Sequence, residues 1–251
     1  MDASNLDARA EIHTRFGTNP YGWFNWLFDR LSLIPPKATI LELGCGNGLL
    51  WKSIADRIPD GWSITLSDLS PGMLDAAWRN LTVTGCAFKF QEIDAQSIPC
   101  SDEEFDVVIA NHMLYHVPDR KKALKEVVRV LTVTGKLYAT TVGDNHMFEM
   151  SEWRRRVTPD RYSVPFSAPF TLENGAAQLS SFFREVKLSR YEDNLRITEV
   201  EPIMAYLRSS VSRSDIDETE LKKLRIELET MLARDGAIFI TKDSGLFEAV
   251  K

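Results

Sequence analysis

Short apolar runs and longer helical patterns alternate along this chain. Ile40-Leu41-Glu42-Leu43 is a short run of the first kind. It breaks into Gly44-Cys45-Gly46-Asn47-Gly48, and helical spacing begins at once with Leu49-Leu50. Leu50, Ile54, Ala55 and Ile58 carry that helix to Pro59-Asp60-Gly61. Trp62 to Asp68 alternates as a second strand. Ser70-Pro71 then opens a helix whose expected buried face is Leu74, Ala77, Trp78 and Leu81. Ala87 to Gln96 reads as a third strand, and Phe105 to Asn111 is a continuous apolar run of the kind that is covered on both faces. A helix burying Ala123, Leu124, Val127, Val128 and Leu131 ends at Gly135, and Lys136 to Val142 is the fifth strand. Strands alternating with helices predict an α/β fold with a parallel sheet.

The flanks are less regular. Residues 1–19 are polar, and Pro20 opens a helix through Leu31 that is dense in aromatic residues. Trp23, Leu27 and Leu31 give it a packing face, while Tyr21 or Trp23 also suits a lid over a ligand. Beyond the fifth strand, Thr171 to Phe183 reads as a helix and Val186 to Tyr191 as a strand. Leu221, Leu224, Leu228, Met231 and Leu232 mark a long helix closed by Gly236. Ala237 to Thr241 and Gly245-Leu246-Phe247 are expected to complete the sheet. The stretches near 144–170 and 198–215 exceed what a sheet needs, and are read as a cover over an acceptor pocket.

The loop after the first strand carries the chemistry. A dinucleotide fingerprint needs a small residue at the third position of G-x-G-x-x-G/A, where this chain has Leu49. The pattern here is E-x-G-x-G-x-G, with Glu42 two residues before the first glycine. A carboxylate there repels a pyrophosphate but suits a cationic ligand that carries an amino group and a sulfonium. Leu41 to Gly48 resembles the first motif of the class I S-adenosylmethionine-dependent methyltransferases. Phe105-Asp106-Val107-Val108-Ile109-Ala110-Asn111 with His116-Val117-Pro118-Asp119 resembles their ubiquinone/menaquinone-biosynthesis-like (type 11) branch.

The resemblance implies a doubly wound, seven-stranded, mostly parallel Rossmann-like sheet with a helical cover. It implies an N-terminal helical lid over 1–36 and a methyltransferase domain over 37–251. It also implies a cofactor, S-adenosylmethionine. Glu42 would hold the methionine end through the loop, with Gly44 and Gly46 allowing close backbone approach. Asp68, at the tip of the second strand, would accept the ribose hydroxyls, and Asp94 with Ala95 would receive the adenine. Cys45, Leu69, Met73 and Asn111 complete the expected cofactor-binding set.

Methyl transfer from a sulfonium is an in-line displacement with a neutral leaving group. Orientation and desolvation supply roughly 7–11 kcal/mol of such a barrier, and a general base adds only about 10²–10⁴-fold. A catalytic motif is therefore not required. His116, His146 and Tyr21 are the candidate catalytic residues, His116 as a base for an acceptor hydroxyl or carbon acid. The alternative for His116 is a histidine that fixes its loop by backbone hydrogen bonds. Asp144-Asn145-His146 has metal-ligand residue types, but three adjacent residues rarely converge on one ion, and no metal is expected.

Composition narrows the partners. Thirty basic against thirty-six acidic residues give no footprint for nucleic acid. No apolar run is long enough to span a bilayer, and the polar start Met1-Asp2-Ala3-Ser4-Asn5 predicts no signal peptide. Cys45, Cys86 and Cys100 lack paired or metal-ligand spacing, so free thiols in a reducing cytoplasm are expected. The expected function is methyl transfer to a small organic acceptor. Aromatic residues in the cover (Trp23, Phe24, Trp26, Phe148, Trp153, Phe166, Phe170) point to an aromatic or apolar one. The alternatives are a non-catalytic S-adenosylmethionine-binding protein, and an enzyme of the same fold that uses the sulfonium for cyclisation or isomerisation. The acceptor, the atom methylated and the oligomeric state are not legible in the sequence.

Overall fold

A computed structural model describes residues 12–158, 169–209 and 216–251. Parts of both expected cover segments, with Phe166, and the first eleven residues of the expected lid lie outside the described residues. The chain divides into two compact units. Among the described residues, the larger holds 23–143, 169–191 and 244–251, and the smaller holds the rest. Residues 12–22 and 23–36, read together from the sequence as one lid, fall in different units.

The larger unit is a seven-stranded sheet. Its strands are β1 (Ala38–Leu43), β2 (Trp62–Asp68), β3 (Phe88–Glu92), β4 (Phe105–Asn111), β5 (Leu131–Val142), β6 (Glu185–Tyr191) and, at the end of the chain, β9 (Ser244–Val250). The order is β3-β2-β1-β4-β5-β9-β6, with β1 to β5 parallel and β9 antiparallel to both of its neighbours. The seven-stranded, mostly parallel sheet expected from the sequence is thus present. Alternate residues of its central strands enter different cores. Ile40, Val107 and Ile109 face one side, with Leu27, Leu31, Leu50, Trp51 and Ala77. Leu41, Leu43, Val108 and Ala110 face the other, with Leu124, Val127 and Leu179. Helices α1 (Trp23–Leu31), α2 (Leu49–Ser53) and α3 (Pro71–Leu81) cover the first face, and α4 (Arg120–Val130) the second. A parallel sheet covered on both sides places its ligand site at the carboxyl ends of the strands, where the order reverses between β1 and β4.

Several local expectations change. The helix after the glycine loop is only Leu49–Ser53, because Ile54 leaves helical geometry (φ −123°) and a 3₁₀ turn follows at Ala55–Arg57. Trp78 is 56% exposed. Met73, Ala76, Ala77 and Leu81 form the buried stripe of α3, which leaves Trp78 on its outer flank. Helical structure between Thr171 and Phe183 is confined to Gly175–Leu179. Ala237 to Thr241 does not complete the sheet: Ile238–Thr241 (β8) pairs antiparallel with Asn194–Ile197 (β7) in a separate two-stranded sheet.

That hairpin-like pair belongs to the smaller unit, with helices Phe148–Val157, Val200–Ser209 and Glu218–Asp235. Leu195, Ile203, Leu207, Leu221, Leu224 and Ile240 are its core. Just beyond β8, Lys242 forms a buried ion pair with Asp193. Asp193 also accepts hydrogen bonds from the Asn19 amide (2.9 Å) and the Thr18 hydroxyl (3.2 Å). Burial works against its charge, but these donors outweigh burial and hold the carboxyl below the usual range. Removing one partner of a buried pair strands the other charge. Lys242→Met is expected to lower stability by about 3–5 kcal/mol in chemical denaturation, and an unchanged denaturation midpoint would rule out this role.

Candidate functional site

The loop between β1 and α2 starts where β1 emerges from between β2 and β4. Gly44 and Gly46 take left-handed conformations, at φ +68° and +56°. A Cβ at Gly44 would lie 2.8 Å from the Met113 Cβ, whereas at Gly46 nothing lies within 4 Å of that position. The first glycine is therefore needed for packing, and the second leaves its backbone bare to a ligand. The loop is tied to β2 at two points: the Cys45 amide donates to the Ser67 carbonyl (2.8 Å), and the Gly46 amide donates to Asp68 Oδ2 (3.0 Å). Asp68 Oδ1 accepts from the Ser70 amide at 2.9 Å. Asp68 thus anchors the loop as well as standing at its expected ribose-binding position.

Glu42 points to the face covered by α1 to α3, opposite to Leu41 and Leu43. It is 1% exposed. Its Oε2 accepts from the indole Nε1–H of Trp51, which is wholly buried on α2. Burial pushes the Glu42 carboxyl up to about 7, the Trp51 hydrogen bond pulls it back, and the Asp68 charge raises it further. Among the described residues, no Lys, Arg or His pairs with Glu42 or Asp68. The two acids nearest the loop thus form an uncompensated negative site. Cys45 sits between them, 9% exposed, and burial together with both carboxylates pushes its thiol far up. It is a small neutral filler and no nucleophile.

The remaining expected cofactor residues of this unit line the ends of β2 to β4. Leu69 is exposed, while Met73 and Ala95 are buried. Asp94 accepts from the Gln96 amide (2.8 Å) and side-chain Nε2 (3.0 Å), and these bonds hold its carboxyl below the usual range. Asn111 ends β4, and its Oδ1 accepts from the Thr140 hydroxyl at 2.6 Å. The same hydroxyl accepts from the His112 amide (2.9 Å), holding His112 at φ +51°. A non-glycine residue in that conformation at a strand end is a feature of functional sites.

Aromatic rings continue from there. The His112 ring lies 5.3 Å from Trp23 and 6.4 Å from Tyr115, and Trp23 packs on Trp26 (5.2 Å) and edge-on against Tyr191 (5.4 Å). His116 follows Tyr115 at 4.5 Å on an exposed 3₁₀ turn, and partial desolvation lowers its pKa. A neutral imidazole at pH 7 is the form a general base needs.

Tyr21 and His146 belong to the smaller unit. The Tyr21 amide donates to Asn19 Oδ1 (3.1 Å) and its side chain is exposed. His146 Nδ1 accepts from the Asp243 amide (3.1 Å), and its ring stacks on His13. Two supporting residues escaped the sequence reading, Trp51 and Thr140. Trp51 had a signal: a buried strand-end acid needs a donor, and the indole is one turn into the next helix. Thr140, in the middle of an apolar run, had none.

With this geometry in place, comparison with known proteins is informative. A family model described as methyltransferase domain matches residues 41–139. The ubiquinone biosynthesis O-methyltransferase of Pseudomonas entomophila (strain L48) is 29% identical over 140 residues, which are 55% of this chain and 58% of that protein. The chain thus spans little more than half the length of such relatives. The YcgJ protein of Bacillus subtilis superimposes with a TM-score of 0.62 at 18% identity, over 90% of this chain and 97% of that one. Phosphoethanolamine N-methyltransferase 2 of Haemonchus contortus, solved in complex with S-adenosyl-L-methionine, gives 0.60 at 18% identity, over 100% of this chain and 57% of that one. At these identities the two structures show the shared fold.

The Glu42 carboxyl has a folded pKa above its unfolded value of 4.5. Its protonated form therefore contributes stability that is complete below about pH 4.5 and is lost as pH rises through about 7. Glu42→Gln keeps an acceptor for Trp51 and cannot ionise. Thermal unfolding of the ligand-free variant should match wild type near pH 4.5 and gain about 3 kcal/mol above pH 8. A constant offset at both pH values would show that Glu42 does not titrate in this range.

Proposed function

We propose, for a chain that belongs over residues 41–139 to the methyltransferase-domain family, that it binds S-adenosylmethionine at the glycine loop and transfers its methyl group to a small organic acceptor. The observation that carries this reading is the pair of acids, Glu42 and Asp68, which no Lys, Arg or His among the described residues pairs, at a loop where nothing lies within 4 Å of a Cβ built at Gly46. That pair of acceptors fits a ligand with positive charge and ribose hydroxyls, and disfavours a pyrophosphate. Bound there, the sulfonium would supply an electrophilic methyl with a neutral leaving group. Glu42 and Asp68 compensate charge and hold hydroxyls, and Asp94 with Ala95 takes the adenine. Leu69, Met73, Cys45 and Asn111 line the same cleft. The protein's remaining task is to orient an acceptor and exclude water.

The ring series Trp23, His112, Tyr115 and Tyr191 supports an aromatic or apolar acceptor. The relatives' name, ubiquinone biosynthesis O-methyltransferase, makes phenols the first acceptors to try. His116, neutral and exposed, is our candidate base where the acceptor must lose a proton. His146 and Tyr21 keep their candidacy, as does the acceptor-cover role for the stretches near 144–170 and 198–215. Three free thiols, an acidic composition, and the lack of any helix among the described residues long and apolar enough to cross a membrane suit a cytoplasmic enzyme acting on small molecules rather than nucleic acid.

Calorimetric titration with S-adenosylmethionine and S-adenosylhomocysteine tests the cofactor. Hydrogen bonds to a charged acceptor contribute about 1.5–3 kcal/mol each, so Asp68→Ala should weaken binding by roughly 10–150-fold with the protein still folded. Unchanged affinity would remove Asp68 from the site.

A further inference from the structure

Trp51 is absent from the cofactor set given above, yet among the described residues it is the side chain that hydrogen-bonds the Glu42 carboxylate. We propose that Trp51 is a positioning residue for cofactor binding: its indole N–H holds the buried Glu42 carboxylate at the start of the glycine loop for a cationic ligand. The inference rests on the S-adenosylmethionine reading. The neighbours of Glu42 in the sheet and the loop agree with it. On β2, Leu66 lies beside it in the sheet and Asp68 adds a like charge; on β4, Ile109 is apolar; in the loop, Cys45 stays neutral. The Ser67 hydroxyl is spent on the Glu42 backbone carbonyl at 2.7 Å. Among the described residues, α2 offers the side-chain donor, through Trp51, and none offers a cation.

A neutral indole donor favours the ionised carboxylate without neutralising it, so the free protein holds a proton on Glu42 below about pH 7. A ligand cation beside the loop favours ionisation, and the proton leaves to buffer. Binding and proton release are then linked, and the strength of the link depends on the indole N–H.

Calorimetric titration with S-adenosylmethionine at pH 6, in buffers of low and high ionisation enthalpy, counts the protons. Wild type should release about one proton per ligand bound at pH 6, and Glu42→Gln none. Trp51→Phe keeps a buried ring and removes the donor, which raises the carboxyl further. The ratio of wild-type to Trp51→Phe affinity should therefore grow as pH falls, by about tenfold at pH 6 for each unit of that rise, and approach one at pH 9. A ratio that is the same at pH 6 and pH 9 would reduce Trp51 to a packing residue and overturn the proposal. Wild type that binds at pH 6 without releasing protons overturns it too. Absence of binding by folded wild type at every pH overturns the cofactor reading, and this inference with it.

Discussion

A carboxylate buried without a resident cation is the constraint on which the larger unit is arranged. Glu42 stands at the end of β1 with apolar neighbours on β2 and β4, and a single indole donor from α2. Burying an ion in this way is costly, and proteins avoid it by pairing the charge or leaving it protonated. The surrounding architecture fixes the acid rather than relieving it. The loop above cannot supply a side-chain cation, because its residues are glycine, cysteine and asparagine. The nearest charged group, Asp68, carries the same sign. A site so arranged suits a cation from outside the chain, and this ties the fold of β1, the loop and α2 to the proposed ligand.

Much of this unit was legible before any coordinates. Strands β1, β2 and β5 are continuous or alternating apolar runs closed by Gly or a carboxylate, and β4 is a continuous apolar run that ends on Asn111. The acids Glu42, Asp68 and Asp94 could be placed near the ends of the first three strands, since each lies at or close to the break that closes its strand pattern. Boundaries were less legible. The helix after the loop stops at Ser53 although Leu50, Ile54 and Ile58 keep helical spacing, because the turn that follows is 3₁₀ and still presents those residues inward. Trp78 continued the apolar pattern of α3 but lies beside its buried stripe rather than in it.

Pairings distant in sequence were not legible. Nothing local distinguishes Ile238–Thr241 as a partner for Asn194–Ile197 rather than an edge strand for the main sheet, since both choices satisfy an alternating four-residue run. That single choice assigns the long helix Glu218–Asp235 and its apolar stripe to a second core. It also explains why His146 was open to a catalytic reading from sequence: its bond from the Asp243 amide joins residues 97 apart. Thr140 is the same problem in miniature, a hydroxyl whose purpose appears only when β4 and β5 lie side by side and it bridges Asn111 and His112.

The two units bury acids in opposite ways, and the contrast supports the proposed ligand role of Glu42. Asp193 has Lys242, the Asn19 amide and the Thr18 hydroxyl, and its carboxyl is driven below the usual range. Such a group is held in its ionised form by partners from its own unit, and it closes on itself. Glu42 is as deeply buried, has one neutral donor and is driven upward. Its charge state is therefore undecided near neutrality, and whatever arrives at the loop decides it. A buried acid that contributed only to stability would gain from a partner like Lys242. Among the described residues Glu42 has no such partner, and beside the glycine loop that difference favours a binding group over a structural one.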